Sequence, residues 1–330
     1  MNKLIYLGAV LSLVSCGGDS GGGGGSSDNS IIPMISNINC GDDSCVSDSL
    51  TKSSSSKALE WAGEFYEEIN DTIIPEVKNT FSDMDKVLRS AEIASCADIP
   101  SSGSTEVDYE GTTVTVTAKT PTGIDVFNKG TVTNKAVEAY NASSQKFFEA
   151  EFNCDTPRVA YVKVNLPILN SSEVEKTVLY FYENGDDKAI NLFTHYQGET
   201  NKEGYMLLFE TDGSDFESYF GWDNDIDGAG TQIILSAVKE VANGVRIVAD
   251  SSGNVDFTDD SHSAVNPGST DNGNLSHHYC YTAAYSNEAC GGSHPSLGLL
   301  SGKDLNENLT DVTGDGKFTK DKIRNLDFSF

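Results

Sequence analysis

The chain has 330 residues, 50 Asp+Glu against 22 Lys+Arg, and a formal net charge of −28. Its 38% hydrophobic content rules out a wholly disordered chain, and its acidity excludes nucleic acid as a partner because phosphates would be repelled. No repeat of fixed period is visible, so a solenoid or propeller is excluded, and the length allows one large domain or two ordinary ones.

At the N-terminus, Lys3 is the sole charged residue before Asp19. An apolar run follows it from Leu4 to Val14. The run is too short to cross a bilayer, which takes about 20 residues, but it fits the apolar part of a secretory signal. Its end, Leu13-Val14-Ser15-Cys16, resembles the lipobox of bacterial lipoproteins. The resemblance implies removal of residues 1–15 and acylation of Cys16, so that lipid ties the protein to a membrane. Each buried acyl CH₂ contributes about 0.8 kcal/mol, and several chains together anchor firmly. Gly17 follows Cys16. In Gram-negative lipoproteins an Asp there favours inner-membrane retention, so the resemblance points to the outer membrane.

Residues 16–56 read as the lipidated Cys and a tether. Gly21 to Gly25, flanked by Ser20 and Ser26-Ser27, has the composition of flexible coil. Such polyglycine resembles the tethers of some surface-exposed lipoproteins, and a spacer inside the periplasm is the other reading. The body is expected over 57–330, with a helical part at 57–95, antiparallel strands at 104–258 and a loop-rich part at 259–330.

In the helical part, Ala58, Trp61, Phe65, Ile69, Ile73, Val77, Phe81, Met84, Leu88 and Ala91 recur three or four residues apart, as one buried stripe does. Pro75 suits a first helical turn, where its missing N–H does no harm. Helices are therefore predicted at 56–70 and 74–93. The exposed side of the first is acidic, which suits packing on the protein's own sheet rather than on anionic lipid.

From 104 the period becomes two. Strands are predicted at 113–117, after a tight Glu110-Gly111 turn, and at 146–152, 159–164, 177–182, 190–193, 205–210, 216–222, 231–238, 245–249 and 255–257. Asn184-Gly185 is a hairpin signal, and Asp212-Gly213, Asn243-Gly244 and Ser252-Gly253-Asn254 mark further turns. The expected fold is α+β: N-terminal amphipathic helices on a curved antiparallel meander, half-barrel or barrel-like, because several strands are apolar on both sides. This pattern is similar in architecture alone to the bacterial lipoprotein-carrier half-barrels, whose motifs are absent here. Leu326, Phe328 and Phe330 alternate, which predicts a last strand.

Six cysteines remain after Cys16: Cys40, Cys45, Cys96, Cys154, Cys280 and Cys290. An exported chain meets an oxidising compartment, so disulfides are expected. Local pairing suggests Cys40–Cys45, Cys96–Cys154 and Cys280–Cys290. His277, His278 and His294 lie near the last pair, with Asp271 close by, and a metal centre is the rival reading there.

Asp223, Asp225 and Asp227 alternate before Gly228 and resemble the start of an EF-hand-type loop. Calcium takes hard oxygen ligands, and alternate residues can supply them. Ile234 stands at the twelfth position, where the EF-hand has a bidentate carboxylate, so that ligand would come from elsewhere, as in DxDxDG loops outside the EF-hand. Asp311 and Asp315, in Asp311-Val312-Thr313-Gly314-Asp315-Gly316-Lys317, resemble half of a dockerin repeat, without a second copy. Calcium is the one cofactor these loops suggest. No G-x-S-x-G elbow, H-E-x-x-H or P-loop occurs, so no catalytic residue is assigned. The expected function is a lipid-anchored envelope protein whose β-rich body binds a protein partner or small ligand without catalysis. The alternative is a secreted-type hydrolase with structural calcium.

Overall fold

The computed structural model describes residues 74–169, 175–197, 202–212, 215–223, 226, 233–241, 244–252, 275–282, 287–288, 328 and 330. The predicted helix at 56–70 and the predicted strand at 255–257 lie outside these residues.

Helix α1 (Ile74–Ser90) carries the expected stripe. Phe81, Met84 and Leu88 are buried on it, and Ala91 just past its end is buried too. The helix stops three residues before the predicted limit. Ile93 N–H donates to the Leu88 carbonyl and Glu92 N–H to the Arg89 carbonyl, each at 3.0 Å. Glu92 has φ +63. These are the bonds and the left-handed residue of a Schellman cap, which turns the chain while satisfying orphan carbonyls. The cap is invisible to periodicity because Glu, not Gly, holds the left-handed position. Among the described residues no helix is long and apolar enough to cross a membrane.

Among the described residues thirteen strands form one sheet, each paired with the next in the chain: β1 (Gly103–Tyr109), β2 (Thr112–Lys119), β3 (Lys135–Tyr140), β4 (Lys146–Asn153), β5 (Arg158–Asn165), β6 (Lys176–Asn184), β7 (Asp187–Gln197), β8 (Lys202–Thr211), β9 (Phe216–Asp223), β10 (Ile233–Val241), β11 (Gly244–Ser252), β12 (Leu275–Thr282) and β13 (Asn287–Glu288). Every pairing is antiparallel. A single helical turn, α2 (Leu166–Leu169), follows β5. The predicted meander is therefore present, with α1 against β1 and β2.

Local chemistry sets the turns. Glu110 and Gly111 have φ +51 and +80 between the paired Tyr109 and Thr112. Two left-handed residues in a two-residue loop make a type I′ turn, which matches strand twist. Asp108 Oδ1 accepts from Gly111 N–H at 3.1 Å. Gly185 supplies φ +65 between paired Asn184 and Asp187, where the Asn-Gly signal placed a hairpin.

Four strands lie outside the predicted segments: β1, β3, β12 and β13. Lys135–Tyr140 was not expected as a strand, because its Ala and Glu residues favour strands poorly; it pairs on both edges, and its Val137 is fully buried. Leu275–Thr282 falls in the stretch expected to be loop-like. Its register with β11, from Ser251↔Leu275 to Gly244↔Thr282, supplies ladder bonds that local composition does not signal.

The pleat sorts side chains by parity. One face, here the helix face, holds Val116, Ala139, Phe148, Val162, Leu179 and Leu192, all at most 2% exposed. On β2, Thr113, Thr115 and Thr117 take the other side, exposed or half-buried, while Val114, Val116 and Ala118 are buried, which leaves this face as the one α1 covers. After α1, Cys96 is joined to Cys154, just past β4, with Cα atoms 6.0 Å apart. This is the predicted pairing. Cys40, Cys45 and Cys290 lie outside the described residues.

Candidate binding face

The opposite face has three zones along β4 to β7. At one end, Val126 and Phe127 from the β2–β3 connection pack on Val159, Tyr182 and Ala189. Lys129 ties that connection down, with its ammonium 2.7 Å from Asp187 and 4.6 Å from the Tyr182 ring centre. Glu151 holds its base, accepting from Thr122 N–H at 2.9 Å and from the Thr133 hydroxyl at 2.5 Å.

The middle is polar and aromatic. Tyr161 and Tyr180, cross-strand partners, have ring centres 5.2 Å apart. The Tyr161 hydroxyl donates to Glu149 at 3.0 Å. Lys146 bridges two carboxylates, 2.7 Å from Glu149 and 3.0 Å from Glu138. Glu138, 8% exposed, also takes Lys119 at 2.6 Å and the Tyr140 hydroxyl. A buried carboxylate needs such partners, since burial without them costs several kcal/mol.

The titration of the group follows from this geometry. Burial pushes the Glu138 carboxyl up, but the hydrogen bonds from Lys119, Tyr140 and Lys146 outweigh it and hold the group below its ordinary value. Burial lowers Lys146, and its bonds to Glu149 and Glu138 more than reverse this. Burial raises both Tyr161 and Tyr180, and the negative Glu149 raises them further. Both phenols therefore stay neutral at physiological pH. The zone can stack on a planar or apolar group and offer it hydrogen bonds.

At the far end lie the last aromatic residues. Phe328 is 5% exposed. Its ring meets His195 edge-on with centres 5.0 Å apart, and the Lys176 ammonium lies 5.9 Å from it. The Phe328 carbonyl accepts from Asn165 Nδ2 at 3.3 Å. The ring of Phe330 lies 5.2 Å from the ammonium groups of both Lys146 and Lys163. Cation–π contacts of this kind contribute about 0.5–2 kcal/mol each. Neither Phe328 nor Phe330 belongs to a strand, which corrects the expected last strand. The two residues lie across the face of β4–β7, held by side chains rather than by ladder bonds.

Of the residues predicted to bind calcium, Asp223 alone is described, and it lies in cross-strand line with His195 through Gly204 of β8. Asp223 closes β9 and is wholly buried. Ile226 N–H donates to the Lys202 carbonyl at 2.9 Å, which pins the start of the acidic loop to β8. Asp225, Asp227, Asp311, Asp315, His294, Asp271 and Cys16 lie outside the described residues. Cys280, His277 and His278 fall on β12, where they register with Arg246, Ala249 and Val248. Among the described residues no group of three or more His, Cys, Asp or Glu is gathered to hold a metal. Sequence reading passed over Glu138, Glu149, Tyr161 and Tyr180. Their signal was present as polar and aromatic residues at alternate positions of strands that looked apolar on both sides.

No family model matches the chain, and no curated protein or solved structure matches it either.

Proposed function

We propose that this is a lipid-anchored protein of the bacterial cell envelope, seated on the outer membrane, whose sheet binds a ligand or protein partner without catalysis. The observation that carries the anchoring is Leu13-Val14-Ser15-Cys16 after a short apolar run, followed by a polyglycine tether. Support for binding comes from the opposite face of β4–β7, where Tyr161, Tyr180, Glu149 and Lys146 form a half-buried patch between two covered ends. Open twisted sheets of more than about 10 strands tend to curl. Thirteen strands, with Val178, Phe193 and Met206 buried opposite the helix face, support a half-barrel form for the body.

The test is fractionation with a fatty-acid label. Wild type takes up the label and sediments with membranes. The Cys16→Ser variant takes up none and is released. Label kept by the variant, or none on wild type, refutes the anchoring.

A further inference from the structure

We propose that the far end of this face is a recognition site for an extended aromatic-x-aromatic peptide segment, which the chain's own Phe328 and Phe330 occupy in cis and which a partner's segment of the same chemistry can take over. This deepens the binding function proposed above and rests on it. Three features point to recognition rather than to simple packing. First, the contacts read a pattern. Phe328 sits at the β6–β7 end, against Lys176 and His195, and Phe330 at the β4–β5 end, over Lys146 and Lys163. Residues two apart in an extended chain span about 6.6 Å, about one and a half strand spacings. The β4–β5 and β6–β7 positions are about two strand spacings apart, so a segment crossing the strands with its side chains splayed sets its alternate rings at these two positions.

Second, the backbone is read as well. Asn165 Nδ2 donates to the Phe328 carbonyl, and Asn165 Oδ1, buried beside it, has no hydrogen-bond donor among the described residues. An orphaned buried acceptor next to a bound peptide carbonyl is unused capacity, which a peptide N–H from a better-fitting segment would fill. Third, the cis occupant is only partly seated. Phe330 remains 39% exposed, whereas Phe328 is buried. Three lysine ammonium groups beside these rings, in a chain of net charge −28, also suit a segment with electron-rich aromatic faces.

The test uses a fluorescent peptide with the sequence of residues 322–330, amidated at its end, and two full-length variants. Phe328→Ala with Phe330→Ala vacates the site. A cis segment acts at an effective concentration of about 1 mM, so against a peptide Kd of about 50 µM it weakens apparent binding about 20-fold. The double variant is expected to bind the peptide at least about 10-fold more tightly than wild type. A peptide with Ala at both Phe positions should not bind it. Phe330→Ala alone, which removes a half-exposed ring and leaves Phe328 in place, should give a smaller gain and covers the case in which the double variant does not fold. Circular dichroism establishes folding for each. A folded double variant that binds no peptide overturns the proposal, as does equal binding to variant and wild type, or no gain in Phe330→Ala. The readout is independent of Cys16, so loss of peptide binding leaves membrane anchoring intact, and loss of anchoring leaves the peptide result unchanged.

Discussion

Replacing Glu138 with Gln removes one charge from the centre of the opposite face and keeps the side-chain shape. Its two oxygens accept from Lys119 at 2.6 Å, from Lys146 at 3.0 Å and from the Tyr140 hydroxyl. Gln keeps one acceptor. The Lys119 side chain is 48% exposed, so water replaces what it loses. Lys146 retains Glu149 at 2.7 Å. The net loss is therefore close to one charge-assisted hydrogen bond in a buried setting, about 2–3 kcal/mol. For a domain of this size that lowers Tm by about 5–10 °C. The pH dependence has a definite sign. A carboxyl held below its ordinary value stabilises the fold above the unfolded-state pKa, and that contribution fades as pH falls through the folded-state value. The gap between wild type and Glu138→Gln should hold steady from pH 6 to 8 and narrow below about pH 4.3. Urea unfolding followed by circular dichroism measures it. A gap under about 0.5 kcal/mol at pH 7, or one that does not narrow in acid, would refute the account of this network.

Three further outcomes are expected. Glu92→Gly should raise stability by about 0.5–1 kcal/mol, because Glu92 is exposed and sits at φ +63, where Gly carries no Cβ penalty; a loss in chemical denaturation would mean that the Glu side chain contributes to the cap. Replacing both Cys96 and Cys154 by Ser should cost about 4 kcal/mol on loop-entropy grounds, given the separation of 58 residues, and native thiol titration should find both cysteines unreactive until reduced. Millimolar calcium should raise Tm measurably through Asp223, Asp225 and Asp227, and Asp225→Asn should blunt that rise; an equal rise with magnesium would mean charge screening rather than a site.

Much of the architecture was legible in the chain itself because its causes are local. Apolar residues three and four apart can share one face only in a helix, so α1 followed from Phe81, Met84 and Leu88. Strict alternation, as in Thr113-Val114-Thr115-Val116-Thr117, can bury one side only as a strand. Glu110-Gly111 and Asn184-Gly185 set turns through backbone chemistry that needs no distant partner. The pairing of Cys96 with Cys154 was also within reach of sequence, because joining cysteines that are neighbours in chain order makes them one pair.

What tertiary structure alone decided involves residues far apart in the chain. Lys135–Tyr140 carries little strand propensity of its own; it is a strand because β2 and β4 each offer a ladder edge, and its Glu138 tolerates burial because Lys119 and Lys146 arrive from those neighbours. Leu275–Thr282 likewise takes its form from β11. Alternating Phe328 and Phe330 suggested a strand, but a period of two states only that neighbouring side chains point opposite ways. Which surface receives them depends on Asn165, His195 and three lysines that meet only once β4 to β7 are in register. The candidate face is thus a property of cross-strand register, a long-range quantity that no window of sequence contains.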